Sequence, residues 1–139
     1  MAAGSDGETA PVRLRVQESL DALKTKLGVA HEVTAQIVDQ HPLMVAVAPL
    51  TGRQDSFQVS FEAAFVAELT DEELDAVIAH ELGHVWIFTH HPFLQTEQLA
   101  NQIAMRVVNR QTLETVYAKV RARGGHTDGL PRFATATAN

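Results

Sequence analysis

Apolar positions recur along this chain with two different periods, and the change between them divides it. Val16, Leu20, Leu23 and Leu27 fall at helical spacing in a stretch that opens at Pro11, and Gly28 follows as a stop. The period then shortens. Val33, Ala35 and Ile37 alternate with polar residues, and Leu43 to Ala48 is a continuous apolar run. Phe57, Val59 and Phe61 alternate with Gln58, Ser60 and Glu62, so three strands are expected. The turn-rich stretch from Pro49 to Asp55 predicts a hairpin between the last two. Thr70-Asp71-Glu72-Glu73 has the form of a capping box and opens a second helix, which should reach about Thr89 before His90-His91-Pro92 ends it. A third helix is expected from near Gln95 or Thr96, and a fourth from about Thr112 to Arg123, broken by Gly124-Gly125.

This order defines an α+β domain: a backing helix, a small, mainly antiparallel three-stranded sheet, and then helices. Residues 1–10 are small and polar and are expected to form a disordered tail. Residues 11–130 form the single domain and 131–139 a flexible C-terminal tail.

Composition narrows the chemistry. The 139 residues are enough for one core without cross-links. There is no cysteine, so a metal site must be built from His and carboxylates. The net charge of -6 argues against nucleic acid as a partner. Arg106, Arg110, Lys119, Arg121, Arg123 and Arg132 cluster late, without aromatic interleaving, and read as a solvated helix face. No stretch approaches a membrane span, and the N-terminus lacks a signal peptide's apolar core. The expected location is cytoplasmic if Met1 is the native start, or exported if a leader was removed.

The candidate chemistry lies in the second helix. His80-Glu81-Leu82-Gly83-His84 is an H-E-x-x-H pattern, and residues four apart on a helix share a face, so both imidazoles can reach one metal ion. At ~100° per residue, Leu74, Ile78, Leu82 and Val85 form the core stripe with the two His along its border. Glu81 then projects into the apolar sector, where a carboxylate is costly unless something compensates it; a zinc-bound water would. The bland reading is two His and a Glu satisfied by ordinary hydrogen bonds on a helix border.

Catalytic zinc generally keeps three protein ligands. Glu97, near the start of the following helix, is a candidate third ligand, against the alternative of an acid favoured there by the helix dipole. Asn101 shares its face and could hold a ligating His from behind. His90 is the rival, at the spacing of the metzincin pattern, although Ile87 stands where that pattern needs Gly and no Met-turn is evident. His91 has less claim, and His31 and His41 read as surface residues.

Leu69 to His84, LTDEELDAVIAHELGH, resembles the active-site helix of gluzincin metallopeptidases, above all the catalytic core of the HtpX and CAAX prenyl protease family and the small soluble minigluzincins. Thr96 to Ala104, TEQLANQIA, resembles that family's Glu-x-x-x-Asp ligand helix. The likeness runs from about Phe57 to Val120 and is strong in those two blocks. It implies a zincin-like fold and one zinc ion on His80, His84 and Glu97, with Glu81 as general base. It departs in Asn101, where the family usually has Asp, and in lacking the membrane helices of larger members. His126 and Arg132 are spaced like the family's late His and Arg, which stabilise the oxyanion.

The expected function is zinc-dependent hydrolysis of peptide bonds, with the substrate extended along an edge strand, Phe57 to Glu62. The alternative is a non-catalytic zinc-containing module that binds peptides or a partner protein. A metal-free structural cluster is the third reading. The N-terminal helix either backs the sheet or covers the cleft.

Overall fold

The computed structural model describes residues 2–41, 43–50 and 53–123, with side chains from residue 10 onward and not at 53–55. The elements are α1 (Ala2–Leu27), β1 (Glu32–Val38), β2 (Val45–Leu50), β3 (Arg53–Glu62), α2 (Ala63–Ala67), α3 (Asp71–His90), a single 3-10 turn (Pro92–Leu94), α4 (Glu97–Ala104) and α5 (Arg110–Ala122). The fold is α+β with a small three-stranded sheet, as the pattern predicts. The expected tail at 131–139, with His126 and Arg132, lies outside the described residues.

The sheet is mixed rather than mainly antiparallel. Its order is β1-β3-β2, with β3 in the middle, parallel to β1 and antiparallel to β2. The link after β1 is long enough to cross two strand spacings of about 4.8 Å each, so β2 lands one place away and β3 inserts between them. The β2–β3 pair is the expected antiparallel partnership. Phe57–Glu62 therefore belongs to the central strand and offers no edge to a substrate.

One of the two edges is closed. The carboxamide of Gln17 on α1 donates to the Val33 carbonyl at 3.1 Å and accepts from the Ala35 amide at 2.8 Å. It thus fills two backbone positions of β1 that another strand would otherwise bond. Among the described residues the remaining edge is β2, and Pro49 within it lacks an N–H, as edge strands tolerate.

Helix α1 packs on α3 and β1 through Val16, Leu20, Leu23 and Leu27, all buried. It is the backing helix, and none of its described side chains, from residue 10 onward, lines the cleft described below. It runs from Ala2, so the stretch expected as a tail to residue 10 is helical. Once the packed turns are nucleated, each added residue needs only one further bond, and Pro11 is accommodated within the helix.

Helix α3 is central, packed by α1, β2, α4 and α5. Thr70 caps it with the full reciprocal box: Thr70 Oγ1 accepts from the Glu73 amide at 3.2 Å, and the Glu73 carboxylate accepts from the Thr70 amide at 2.9 Å. Leu74, Ile78, Leu82 and Val85 are buried, as their spacing requires. The late basic residues are not a bare solvated face. Lys119 bridges Glu73 and the Glu68 carbonyl, Arg123 pairs with Glu62 and Glu68, Arg110 pairs with Glu114, and Arg106 lies over Trp86. Arg132 lies outside the described residues.

Candidate metal centre

The one-turn spacing on α3 sets the His80 and His84 rings side by side, their centroids 4.9 Å apart. Glu97 opens α4, which Thr96 caps by accepting from the Leu99 amide at 3.0 Å. This brings the Glu97 carboxylate across both rings: Oε1 stands 2.9 Å from His80 Nε2 and Oε2 stands 3.0 Å from His84 Nε2. The three side chains offer ligand atoms that all lie within 4.8 Å of one another.

His80 Nε2 and Glu97 Oε1 are both buried, and neither makes an aligned hydrogen bond despite their short separation. A buried lone pair and a buried carboxylate oxygen left in this way are costly. One cation between them would satisfy both, and imidazole and carboxylate are zinc donors with bonds of about 2.0–2.2 Å. The residues present fit that ion.

The same convergence sets the proton affinities of the metal-free site. Burial works to raise Glu97, but the two imidazoles override it and hold the carboxyl down at about 2. Burial works to lower His84, but its hydrogen bond to Glu97 and the charges of Glu81 and Glu97 raise it to about 9. Glu81 is buried beneath the pair; desolvation raises its pKa, with His80 and His84 opposing and Glu97 adding.

Each of the two imidazoles is held from behind by an amide. His80 Nδ1 meets Asn101 Oδ1 at 2.6 Å, and Asn101 is in turn bonded to the buried Tyr117 hydroxyl. His84 Nδ1 meets Gln95 Oε1 at 2.8 Å, while Gln95 Nε2 donates to the His84 carbonyl at 2.8 Å. An Nδ1–H donated to an amide oxygen leaves Nε2 free as the lone-pair donor a metal needs. The contact of Asn101 with His80 is the expected one. Gln95 was not anticipated: it lies between the 3-10 turn and α4, and no periodicity marks it.

The other candidates fall elsewhere. His90 ends α3 with its ring stacked on Trp86 at 4.1 Å and its Nδ1 bonded to the Trp86 carbonyl at 2.8 Å, a helix C-terminal role. His91 and His31 also stand outside the cluster. His41 is more than a surface residue: its Nδ1 accepts from the Leu43 amide at 3.0 Å and its own amide donates to Glu62 at 3.1 Å.

Beside the triad lies an open cavity of about 380 Å³, walled on one side by β2 from Val45 to Pro49 and on the other by Val85 and Phe88 of α3. Glu81, His84 and Glu97 form its polar end. A buried carboxylate at a two-imidazole, one-carboxylate cluster, opening onto a strand edge that is unpaired among the described residues, defines the frame of a metallopeptidase.

Peptidase family M48 matches residues 12–138, and the chain belongs to that family. It is similar to a protease HtpX homologue of Pyrobaculum islandicum, 38% identical over 71 residues, which are 50% of this chain and 19% of the relative. The chain thus spans about a fifth of that relative's length. In structure it is similar to the metallopeptidase zymogen of Pyrococcus abyssi abylysin, with a TM-score of 0.58 and 18% identity over 78% of this chain and 93% of that one. That likeness concerns the fold.

Proposed function

We propose that this chain is a zinc-dependent endopeptidase of the gluzincin type, with His80, His84 and Glu97 as metal ligands and Glu81 as general base. The observation that carries the reading is the orphaned pair, His80 Nε2 and Glu97 Oε1, buried and 2.9 Å apart without an aligned hydrogen bond. Bound there, zinc supplies Lewis acidity toward a carbonyl and toward a water. Glu81, buried with its proton affinity raised, takes the proton from the attacking water and delivers it to the leaving amine. Asn101 and Gln95 keep the two imidazoles in the ligating tautomer. The substrate backbone lies along the free edge of β2, pairing through main-chain hydrogen bonds, and the cavity receives one of its side chains. Recognition through the main chain favours broad specificity.

The test is hydrolysis of β-casein, an unfolded protein, by the zinc-loaded wild type and by Glu81→Gln. Cleavage by the wild type and none by the variant, at equal zinc content, supports the mechanism. Equal cleavage by both removes Glu81 from it. Casein binding by both without cleavage by either replaces the peptidase reading with a zinc-containing binding module.

A further inference from the structure

The wall of the cleft opposite α3 begins at a strained turn. Among the described residues, Met44 is the non-glycine residue with positive φ, at 66°, and it is buried. The Val45 amide bonds back to the Leu43 carbonyl at 2.7 Å, which closes a γ-turn over Met44 immediately before β2. Leu43 and Val45, on either side of it, both line the cleft. A β-carbon in the left-handed region is unfavourable, and such a conformation persists only where its surroundings over-determine it.

What over-determines it converges on Glu62, the last residue of β3. The Glu62 amide donates to the Met44 carbonyl at 2.8 Å. Its Oε2 accepts from the His41 amide at 3.1 Å, and the His41 carbonyl accepts from the Met44 amide at 3.1 Å. The His41 ring closes the loop by accepting from the Leu43 amide. Glu62 Oε1 is held in turn by Arg123 Nη2 at 3.0 Å, and Arg123 also pairs with Glu68. One carboxylate therefore grips the turn on one side and the end of α5 on the other. It does this outside the metal centre, with no contact to His80, His84 or Glu97 among its bonds.

We infer that Glu62 is a positioning residue for substrate: by clamping the Met44 turn it fixes the height of β2 against α3, and so the edge along which a peptide pairs. The role rests on the peptidase reading above. The first residues of this edge strand are held in the ladder on one side alone, beyond their packing in the core, and a shift there misaligns every main-chain bond to a bound peptide while leaving the ligand set in place. Removing the clamp should therefore weaken substrate binding uniformly, which appears in KM with kcat kept.

The experiment compares wild type, Glu62→Ala, Glu62→Gln and the double variant Glu62→Ala/Met44→Gly. It measures zinc content, amide exchange over residues 43–50 and steady-state hydrolysis of β-casein. The expected result for Glu62→Ala is faster exchange over that segment and a KM raised about tenfold, the scale of one lost charge-assisted bond, with kcat and zinc unchanged. Glu62→Gln keeps an acceptor for the His41 amide and should restore most of both. Met44→Gly relieves the positive φ but empties a buried side chain, so rescue of Glu62→Ala is read as slower exchange over residues 43–50 and a lowered KM rather than as regained stability. If Glu62→Ala does not fold, Glu62→Asp, which keeps the charge but shortens the reach to the His41 amide, carries the same comparison.

Unchanged exchange over 43–50, or faster exchange with KM unchanged, overturns the role and leaves Glu62 a merely structural residue. A zinc-loaded wild type that neither binds nor cleaves casein overturns the peptidase reading, and this role with it. Cleavage by the wild type with the variants indistinguishable from it overturns this role alone.

Discussion

Gly83 on α3 faces the Ala100 carbonyl of α4 so closely that a β-carbon at Gly83 would lie 2.5 Å from that oxygen. The next nearest atoms are also backbone, Ala100 Cα at 3.0 Å and its carbonyl carbon at 3.1 Å, so no side chain can swing away to make room. The glycine of the H-E-x-x-H segment is thus the contact that lets α4 bring Glu97 and Asn101 onto the two imidazoles. Gly83→Ala should push α4 outward. We expect a loss of about 1–3 kcal/mol in stability, the range of overpacked cores, together with weaker zinc binding. Thermal unfolding with and without zinc checks this; an unchanged zinc affinity would show that the close approach does not set the site.

The amides behind the two His should tune the metal rather than supply it. Asn101→Ala and Gln95→Ala each remove the partner of one imidazole of the proposed site, and each should weaken zinc about 10- to 100-fold, as is usual for such outer partners. Asn101→Asp should tighten it, because a carboxylate makes His80 a stronger donor. Competition with a chelator of known affinity measures all three. Identical affinities would mean that the Nδ1 contacts are incidental.

Zinc binding should release a proton at neutral pH. In the metal-free protein His84 is raised from 6.5 to about 9 and Glu97 lowered from 4.5 to about 2, so at pH 7 the pair is imidazolium and carboxylate. For stability without metal, the His84 contribution is complete below about 6.5 and is lost as pH rises through about 9. The Glu97 contribution is complete above about 4.5 and is lost as pH falls toward about 2. The pair therefore stabilises the metal-free fold most between about 4.5 and 6.5. Zinc must displace the His84 proton, so its affinity should climb with pH and level off above about 9. Calorimetry in two buffers of different ionisation enthalpy reads the proton directly, and a buffer-independent heat at pH 7 would contradict this.

What could be read in advance was what local periodicity and donor chemistry encode. The spacing of Leu74, Ile78, Leu82 and Val85 orients α3, and that alone places His80, Glu81 and His84 relative to the core. Glu97 followed from the need for a third ligand and from its place at a helix start. The sheet order was not legible, because which strand neighbours which depends on contacts between distant segments, and β3 shows the same alternation in the middle as it would at an edge. The start of α1 was misplaced because a polar stretch can extend a helix that is nucleated and packed elsewhere. Gln95, the Met44 turn and the Glu62 clamp carry no repeating pattern. Each is a single side chain or dihedral whose meaning comes only from what the fold sets beside it.

The most direct test of the metal centre is bound zinc per chain in the purified wild type and in Glu97→Ala, measured by elemental analysis after exhaustive removal of free metal. Near-stoichiometric zinc in the wild type, lost or much weakened in the variant, is the predicted result. Zinc retained fully in Glu97→Ala, or no zinc taken up by the wild type even when it is added back, would contradict the assignment of His80, His84 and Glu97 as its ligands.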